Sequence, residues 1–317
     1  MNTKVFTLDQ IKQAINISEL LPAIEEGFKL YSQGKVVVPP VGHLNFENPP
    51  GDTHIKYGYI RHDEYYVIKV ASGFYDNPKI GLSSSNGLML VFSQKTGELL
   101  GILLDEGYLT DIRTAVAGAI VAKYLAPKHV RKVGIVGTGI QAHLQLKLLQ
   151  YVTDCNEVIV YGRSEASLEK YKKDMEEEGF QITATQNTDE LTSQCNLIVT
   201  TTPSTQPILF ANQIKEGTHI TAMGADSKGK QELDTKIIQK ADIVVADSIE
   251  QCTDHGELVH AIEEGLIDKT KILELGKVIE DSKLQRQNDK QITVADLTGV
   301  AVQDIEIAQY VFLALSK

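Results

Sequence analysis

A glycine-rich turn between an apolar strand and a helix constrains this chain most. The apolar run 132–136 leads directly into a GxGxxA motif, whose residues are Gly137, Thr138, Gly139, Ile140, Gln141 and Ala142. The first glycine permits a tight turn, the second lets backbone amides approach a pyrophosphate, and the small alanine lets the helix pack close to the strand. The diphosphate then lies at the positive helix N-terminus. The motif therefore predicts a dinucleotide site; a tight βα turn without a ligand is the alternative interpretation.

Strand–helix alternation surrounds this motif. Apolar segments predict strands at 132–136, 157–161, 181–184, 196–201, 218–222 and 242–246. Helical segments between most of them predict a doubly wound parallel sheet. An apolar-rich helix at the C-terminus has no partner strand, and we expect it to return to the first domain.

The first third of the chain has a different pattern. It predicts an amphipathic helix over 17–33, a Pro/Gly-rich connector over 39–51, and strands over 53–60, 65–72, 87–92 and 98–104. The expected fold class is therefore α/β, with a Rossmann-type doubly wound sheet and a smaller α+β domain. The Rossmann domain is expected at 129–298, and the smaller domain is expected to combine 1–128 with 299–317.

Composition argues against several classes of partner. The chain has 42 acidic and 31 basic residues, a net charge of −11, which disfavours nucleic acid or an anionic membrane as a partner. No long apolar run or signal-peptide core occurs. The three cysteines are scattered without a CxxC motif, which predicts reduced thiols and a cytoplasmic location. No metal is expected, because Cys252-x-x-His255 has no second pair of ligands.

Arg113 is the first charged candidate for a functional role. It lies near the start of a helix that Thr110 is expected to cap and that ends at Leu125. A cation in the opening turn opposes the helix macrodipole, whereas an anion is favoured there. Arg113 is therefore expected to hold an anion such as a substrate carboxylate. A pair with Asp111 or a solvated surface arginine is the alternative.

Lys56 and Lys69 each interrupt an otherwise apolar strand. If the hairpin turns at 62–63, its register places Lys56 directly opposite Lys69. Like charges in that position are destabilising, and a bound anion removes the cost. Two lysines on a solvated face of the sheet are the alternative.

Asp226 follows the strand predicted at 218–222. The carboxyl ends of strands in an open α/β sheet face the ligand crevice, so this carboxylate is a candidate for the reacting end of the site. An aspartate in a glycine-containing loop is also typical of simple turn formation.

The end of the second Rossmann strand bears on cofactor choice. An NAD site usually has Asp or Glu about 20 residues beyond the glycines, for the ribose 2′-hydroxyl. This chain has Arg163 and Ser164 there, which suit a 2′-phosphate. NADP(H) is therefore favoured, and NAD(H) is the alternative.

Together these motifs resemble the ornithine cyclodeaminase/mu-crystallin family over nearly the whole chain. The matching segments are Lys69 before Asn77-Pro78, 109–115, 137–142, 200–204, 224–226 with 229–233, and 299–304. The resemblance implies that Lys69 and Arg113 bind the substrate carboxylate and that Asp226 is the catalytic acid/base; Lys69 is expected to be catalytic as well. It also implies a homodimer built from the N-terminal sheet and the C-terminal helix. Further cofactor contacts are expected from Thr110, Thr201, Thr202, Pro203, Met223, Gly224, Thr298 and Gly299.

One departure from the family pattern concerns the carboxylate. Many members carry Arg after a Pro-Pro pair, whereas here Val41 follows Pro39-Pro40. Lys56 is expected to supply the missing charge.

The resemblance implies an NAD(P)-dependent imino-acid reductase or amino-acid dehydrogenase, with hydride transfer at Cα of a small 2-imino or 2-amino acid. The alternatives are ornithine cyclodeaminase, which forms proline and ammonia without net redox change, and a catalytically silent crystallin-like protein. The extra cation at Lys56, with His43 and His54 nearby, favours a small or dicarboxylic imine such as iminosuccinate.

Overall fold

The computed structural model describes residues 3–74 and 76–317. The chain divides into two compact units, a first unit of Met1–Thr114 with Val300–Lys317 and a second unit of Ala115–Gly299. The sequence placed the first boundary after residue 128, whereas the units divide within a helix, after Thr114. Within the described residues, no helix is long and apolar enough to cross a membrane.

The strands are β1 (Lys4–Phe6), β2 (Val36–Val37), β3 (Gly42–Glu47), β4 (Pro50–Ile60), β5 (Tyr65–Phe74), β6 (Ser85–Ser93), β7 (Leu99–Leu103), β8 (Val133–Val136), β9 (Glu157–Tyr161), β10 (Gln181–Thr185), β11 (Leu197–Thr200), β12 (Thr205–Leu209), β13 (His219–Ala222), β14 (Gln231–Leu233), β15 (Ile243–Ala246), β16 (Leu273–Glu274) and β17 (Thr293–Asp296).

The α-helices are α1 (Leu8–Ala14), α2 (Ile17–Ser32), α3 (Tyr108–Leu125), α4 (Ile140–Leu149), α5 (Glu165–Glu177), α6 (Thr188–Gln194), α7 (Thr235–Lys240), α8 (Ile249–Cys252), α9 (Glu257–Glu263), α10 (Leu275–Glu280) and α11 (Ala301–Ser316). Short 3₁₀ helices occupy Asn77–Ile80, Lys269–Lys271 and Ser282–Leu284.

The first unit is a largely antiparallel sheet covered by helices. Its strand order is β1-β7-β6-β5-β4-β2, and β3 also pairs with β4. The C-terminal helix α11 packs against α2 and across β4 and β5, as its lack of a partner strand predicted. Apolar side chains of both helices are fully buried, including Leu20, Ile24, Phe28 and Val302. This helix therefore completes the core of a sheet made some 200 residues earlier in the chain.

The second unit is a parallel sheet of the Rossmann type, as predicted. Its strand order is β10-β9-β8-β11-β13-β17-β15-β16. The strands β8, β11, β13 and β17 are neighbours, buried along their whole length, and run in one direction. Since parallel strands end at the same edge, the loops after these four strands meet at one edge of the sheet.

Three sequence predictions need correction. The connector predicted over 39–51 contains the exposed strand β3, whose polar, glycine-flanked sequence hides its pairing with β4. The central strand β17 was missed because four buried residues show no alternation. Thr110 does not cap α3: the helix begins at Tyr108, and the carboxylate of Asp105 accepts the Leu109 amide at 2.9 Å.

Candidate functional site

The glycine motif forms the turn that the sequence predicted. Gly137 follows β8 with φ +118°, and a Cβ there would lie 2.5 Å from the Thr201 hydroxyl. Gly139 precedes α4 as its N-cap, and a Cβ on it would meet nothing within 4 Å. Ala142 is fully buried at the start of α4. The loop thus leaves open space at a helix N-terminus, where a phosphate group fits.

A cavity of about 570 Å³ lies beside this turn. It brings together seven of the predicted cofactor residues: Gly137, Thr138, Gly139, Arg163, Thr201, Thr202 and Pro203. Ser204, in the 200–204 segment that carried the family resemblance, lines it as well. The sequence missed other residues that line it, namely Tyr161, Gly162, Thr205, Gln206 and Ile208. Other predicted residues do not line it: Ile140, Gln141, Ala142, Ser164, Met223, Gly224, Thr298 and Gly299. Thr110 belongs to the first unit.

Arg163 and Ser164 have different environments. Arg163 is exposed and lines the cavity. The Ser164 hydroxyl caps α5, where it accepts the Ser167 amide at 3.4 Å. Arg163 is therefore the residue of this pair that is placed to contact a group in the cavity.

Glu232 fixes two of the loops at the carboxyl edge of the sheet. Its buried carboxylate accepts the Thr200 hydroxyl at 2.6 Å, the Thr202 amide at 2.6 Å and the Gly224 amide at 2.9 Å. Burial raises the pKa of Glu232, and these hydrogen bonds oppose that rise. Sequence analysis did not select Glu232, although it lies inside the 229–233 segment that carried the family resemblance.

Asp247 holds a third loop in the same way. It accepts the Thr298 amide at 3.2 Å, the Thr298 hydroxyl at 3.2 Å and the Gly299 amide at 2.7 Å. Thr298 and Gly299 are thus held by hydrogen bonds at the end of β17. Asp247 was also absent from the sequence-based candidates.

Asp226 lies four residues beyond the end of β13, in the loop that begins at the same sheet edge. Its side chain is 55% exposed and forms an ion pair with Lys230 at 2.6 Å. Among these loop carboxylates, Asp226 is accessible to solvent, whereas Glu232 and Asp247 are buried.

In the first unit, the register of β4 and β5 places Lys56 directly opposite Lys69, as the hairpin argument predicted. Lys69 is only 2% exposed, and its ammonium donates to the carboxylate of Asp304 on α11 at 3.0 Å. The anion that relieves the lysine pair is therefore supplied by the protein itself. The alternative of two lysines on a solvated face is wrong for Lys69.

Arg113 shares the same carboxylate. It is 5% exposed, its Nε lies 3.0 Å from Asp304 Oδ1, and an NH group donates to Gln303 at 3.1 Å. The alternative of a surface arginine is wrong. The helix-start argument also needs correction, because α3 begins at Tyr108 and Arg113 lies in its second turn.

These charges change each other's protonation. Burial lowers the pKa of Lys69 to about 7; Asp304 opposes this change, and the positive charges of Arg113 and Lys56 add to it. Burial alone would raise the pKa of Asp304, but Arg113, Lys69 and Lys56 together lower it below its usual value. Among the described residues, Asp304 Oδ2 has no hydrogen-bond partner, and Arg113 Nε forms its 3.0 Å ion pair with Asp304 Oδ1 without making a hydrogen bond. While Lys69 is protonated, three positive charges act on the one carboxylate of Asp304, so the site is net positive and can accept a second carboxylate.

The two units define an α/β protein with a Rossmann-type sheet in one unit and a helix-covered antiparallel sheet in the other. The chain belongs to the ornithine cyclodeaminase/mu-crystallin family, whose family model matches residues 1–317. The resemblance seen in the sequence is thus confirmed.

Several relatives cover nearly the whole chain. A Sinorhizobium fredii protein named as an uncharacterized cyclodeaminase is 40% identical over 98% of this chain and 95% of its own length. Alanine dehydrogenase of Archaeoglobus fulgidus is 39% identical over 100% of this chain and 97% of its own length. Δ1-pyrroline-2-carboxylate reductase of Bacillus thuringiensis is 32% identical over 97% of this chain and 95% of its own length.

Solved structures agree in fold. An archaeal alanine dehydrogenase dimer with bound NAD has a TM-score of 0.90 and 37% identity, covering 100% of this chain and 97% of that one. The Δ1-pyrroline-2-carboxylate reductase of Thermococcus litoralis, with NADH and L-proline, has a TM-score of 0.91 and 26% identity over 99% and 98%. The iminosuccinate reductase of Paracoccus denitrificans, with NAD⁺, has a TM-score of 0.89 and 29% identity over 100% and 97%.

Proposed function

We propose that this protein is an NAD(P)-dependent imino-acid reductase or amino-acid dehydrogenase that acts on a small 2-imino or 2-amino carboxylic acid. One observation carries the proposal: Lys69 and Arg113 each lie 3.0 Å from the carboxylate of Asp304, and the charge of Lys56, directly opposite Lys69 in the sheet, also lowers the pKa of Asp304. Such a site attracts a further carboxylate. The relatives named as alanine dehydrogenase and Δ1-pyrroline-2-carboxylate reductase, which act on molecules of this class, support it.

The proposed roles follow from charge and exposure. Lys69 and Arg113 bind the substrate carboxylate, with Lys56 adding charge beside them, and this contact fixes the position of Cα. The solvent-accessible Asp226 transfers the proton to or from the substrate nitrogen, directly or through water. When bound, the nicotinamide cofactor supplies or accepts the hydride.

The cofactor is proposed to bind along the glycine turn and in the adjoining cavity. The open space at Gly139, the helix N-terminus of α4 and the position of Arg163 fit a dinucleotide. Because the cationic Arg163 lines this cavity and suits a 2′-phosphate, we propose that the protein prefers NADP(H) to NAD(H). NAD and NADH are the forms bound in the three solved relatives, so the two cofactors must be compared directly.

Cyclodeamination is the second candidate, supported by the relative named as a cyclodeaminase. That reaction needs a carboxylate near the distal amine of ornithine. Alternation along β4 places Asp52 on the same face as Lys56, although Asp52 lies 3.6 Å from His54 and pairs with it.

The deciding experiment supplies purified protein with cyclic, alanine-type and dicarboxylic imines and either reduced cofactor. A reductase consumes one reduced cofactor for each amino acid formed, which absorbance and amino-acid analysis measure together. Release of ammonia from ornithine without net cofactor change would replace this proposal with cyclodeamination. Absence of both activities, with dinucleotide binding intact, would favour the crystallin-like alternative.

We also propose a homodimer formed through the first unit. Large apolar side chains are exposed there, including Leu44, Phe46, Ile80 and Leu82. A relative at 37% identity is a dimer, which supports the proposal. Light scattering of the purified protein is expected to give twice the chain mass, and Phe46→Asp is expected to shift it toward the monomer. A monomeric wild-type protein would refute it.

A further inference from the structure

Two histidines and an aspartate lie together on one face of the first unit's sheet. The register pairs His43 of β3 directly with His54 of β4. Asp52 lies two residues before His54, and alternation along the strand puts it on the same face. The imidazole centroids are 4.4 Å apart, and His54 Nε2 lies 3.6 Å from Asp52 Oδ1. One ligand atom from each residue lies within 4.8 Å of the other two.

We propose that His43, Asp52 and His54 bind a divalent transition-metal ion of the Zn²⁺ type. Imidazole nitrogen and carboxylate oxygen are ligands that Zn²⁺ prefers, with bonds of about 2.0–2.2 Å. Three protein ligands leave a fourth position open to water or to an oxygen ligand. The proposal concerns ion binding and is independent of the proposed reaction.

The backbone already supplies most of the geometry that this site needs. His43 and His54 are directly opposed on two strands, and Asp52 lies two residues before His54. The backbone therefore holds the three side chains over one small area of the sheet. Ligand atoms around tetrahedral zinc are about 3.4 Å apart, as its bond lengths require, so ligand atoms within 4.8 Å of one another need to approach by at most about 1.4 Å. His43 is exposed and the other two are half-buried, so small rotations of their side chains supply this movement.

The charges beside the three residues act in opposite directions. The carboxylate of Asp52 favours a bound cation, whereas the ammonium of Lys56, on the same face two residues beyond His54, opposes it. We therefore expect moderate affinity and not that of a closed structural site.

The test is titration of tag-free, chelator-treated protein with Zn²⁺ alone, measured by calorimetry and by competition with a chelating dye. We expect one ion per chain, with binding that weakens as the pH falls from about 7.5 to about 5.5, because protons compete for the imidazoles. His43→Ala, His54→Ala and Asp52→Asn are each expected to weaken binding at least tenfold. His62→Asn, which changes an exposed histidine in the turn after β4, is the matched control and should bind like wild type.

Binding that is absent at about 100 μM Zn²⁺ would overturn the proposal, as would equal binding by wild type and the His43→Ala/His54→Ala double variant. Circular dichroism of each variant establishes that the fold is retained. If the variants change KM for an imine in metal-free buffer while wild type binds no Zn²⁺, the three residues contact substrate instead, and the metal site is refuted.

Discussion

The two units bury ionisable side chains in opposite ways. In the first unit, Asp304 is buried among Lys69 and Arg113, and these cations lower its pKa. In the second unit, burial raises the pKa of Glu232, even though it accepts hydrogen bonds from a hydroxyl and two backbone amides. Equal burial therefore gives opposite pKa shifts, and the difference lies in the neighbouring cations.

The contrast extends to neighbouring carboxylates of the second unit. Burial raises the pKa of Glu257 well above its usual value, and the charges of Asp296 and Glu232 add to that rise. The backbone amides of Glu232 and Leu233 donate to Glu257. The second unit thus uses carboxylates to hold loops and strands in place, whereas the first unit concentrates cations that can bind a ligand.

The largest expected effect is the loss of kcat on removing the charge of Asp226, the exposed carboxylate. Asp226→Asn keeps the shape of the side chain but removes the ionisable group, so kcat should fall by about 10²–10⁴-fold. Thermal stability and dinucleotide affinity should change little, because Asp226 is 55% exposed. Steady-state rates across pH measure this; a variant within a few-fold of wild type, with the same pH profile, would show that Asp226 only forms the turn.

Removal of a buried cation should lower kcat/KM for the substrate and leave dinucleotide affinity unchanged. Arg113→Ala and Lys69→Ala are each expected to lower kcat/KM by about 2–5 kcal/mol in transition-state stabilisation. Lys79→Ala removes a lysine that is 74% exposed and serves as the matched control. Melting curves are needed as well, since an unbalanced Asp304 also destabilises the fold. Wild-type kcat/KM in either variant would remove that residue from the substrate site.

Glu232→Gln should give the reverse phenotype to Asp226→Asn. Its new NH₂ group faces hydrogen-bond donors, so we expect a loss of about 1–3 kcal/mol in unfolding free energy. Dinucleotide affinity should fall, because the 200–204 loop loosens. Glu264→Gln is the control in the same unit, because the Glu264 carboxylate also accepts a hydrogen bond from a threonine hydroxyl, that of Thr235. If both variants bind dinucleotide equally well, Glu232 does not position the cofactor loop.

The pH dependence of substrate capture should depend on Lys69. Its pKa in the folded protein is lowered to about 7, so the ammonium is charged below that pH and neutral above it. With a preformed imine, kcat/KM is therefore expected to fall above about pH 7, by up to about tenfold per pH unit. Lys69→Arg keeps its charge throughout this range and should flatten that limb. An unchanged limb in the variant would assign the titration to another group or to the substrate.

The smallest expected effect is on cofactor choice. Arg163→Asp places a carboxylate beside the cavity, which repels a 2′-phosphate. NADPH affinity should fall several-fold, and NADH affinity should change less, as measured by fluorescence titration. An equal loss for both cofactors would mean that Arg163 does not contact the 2′ position.

The sequence predicted features set by local pattern and missed those set by distant partners. The glycine turn and the Lys56–Lys69 register follow from spacing along one or two strands, and both were confirmed. The identity of the counter-ion was not predictable in this way, because Asp304 is 235 residues from Lys69. The same reason explains why Glu232 was missed, since its acceptor role depends on the positions of two loops that are distant from it in sequence or from each other.

The place of Asp304 near the C-terminus also affects how the chain is made. Residues 115–299, the whole second unit, are synthesised before Asp304. Domains generally fold as units during synthesis, from the N-terminus onward. Here we expect the opposite order. Burial of the charged Lys69 and Arg113 costs free energy until α11 has been synthesised and supplies the carboxylate that pairs with both. Residues 3–114, which are translated before the second unit, are thus expected to become native after it. Chains that end at residue 299 and are released from the ribosome should protect the second unit from protease but leave the first unit open to cleavage.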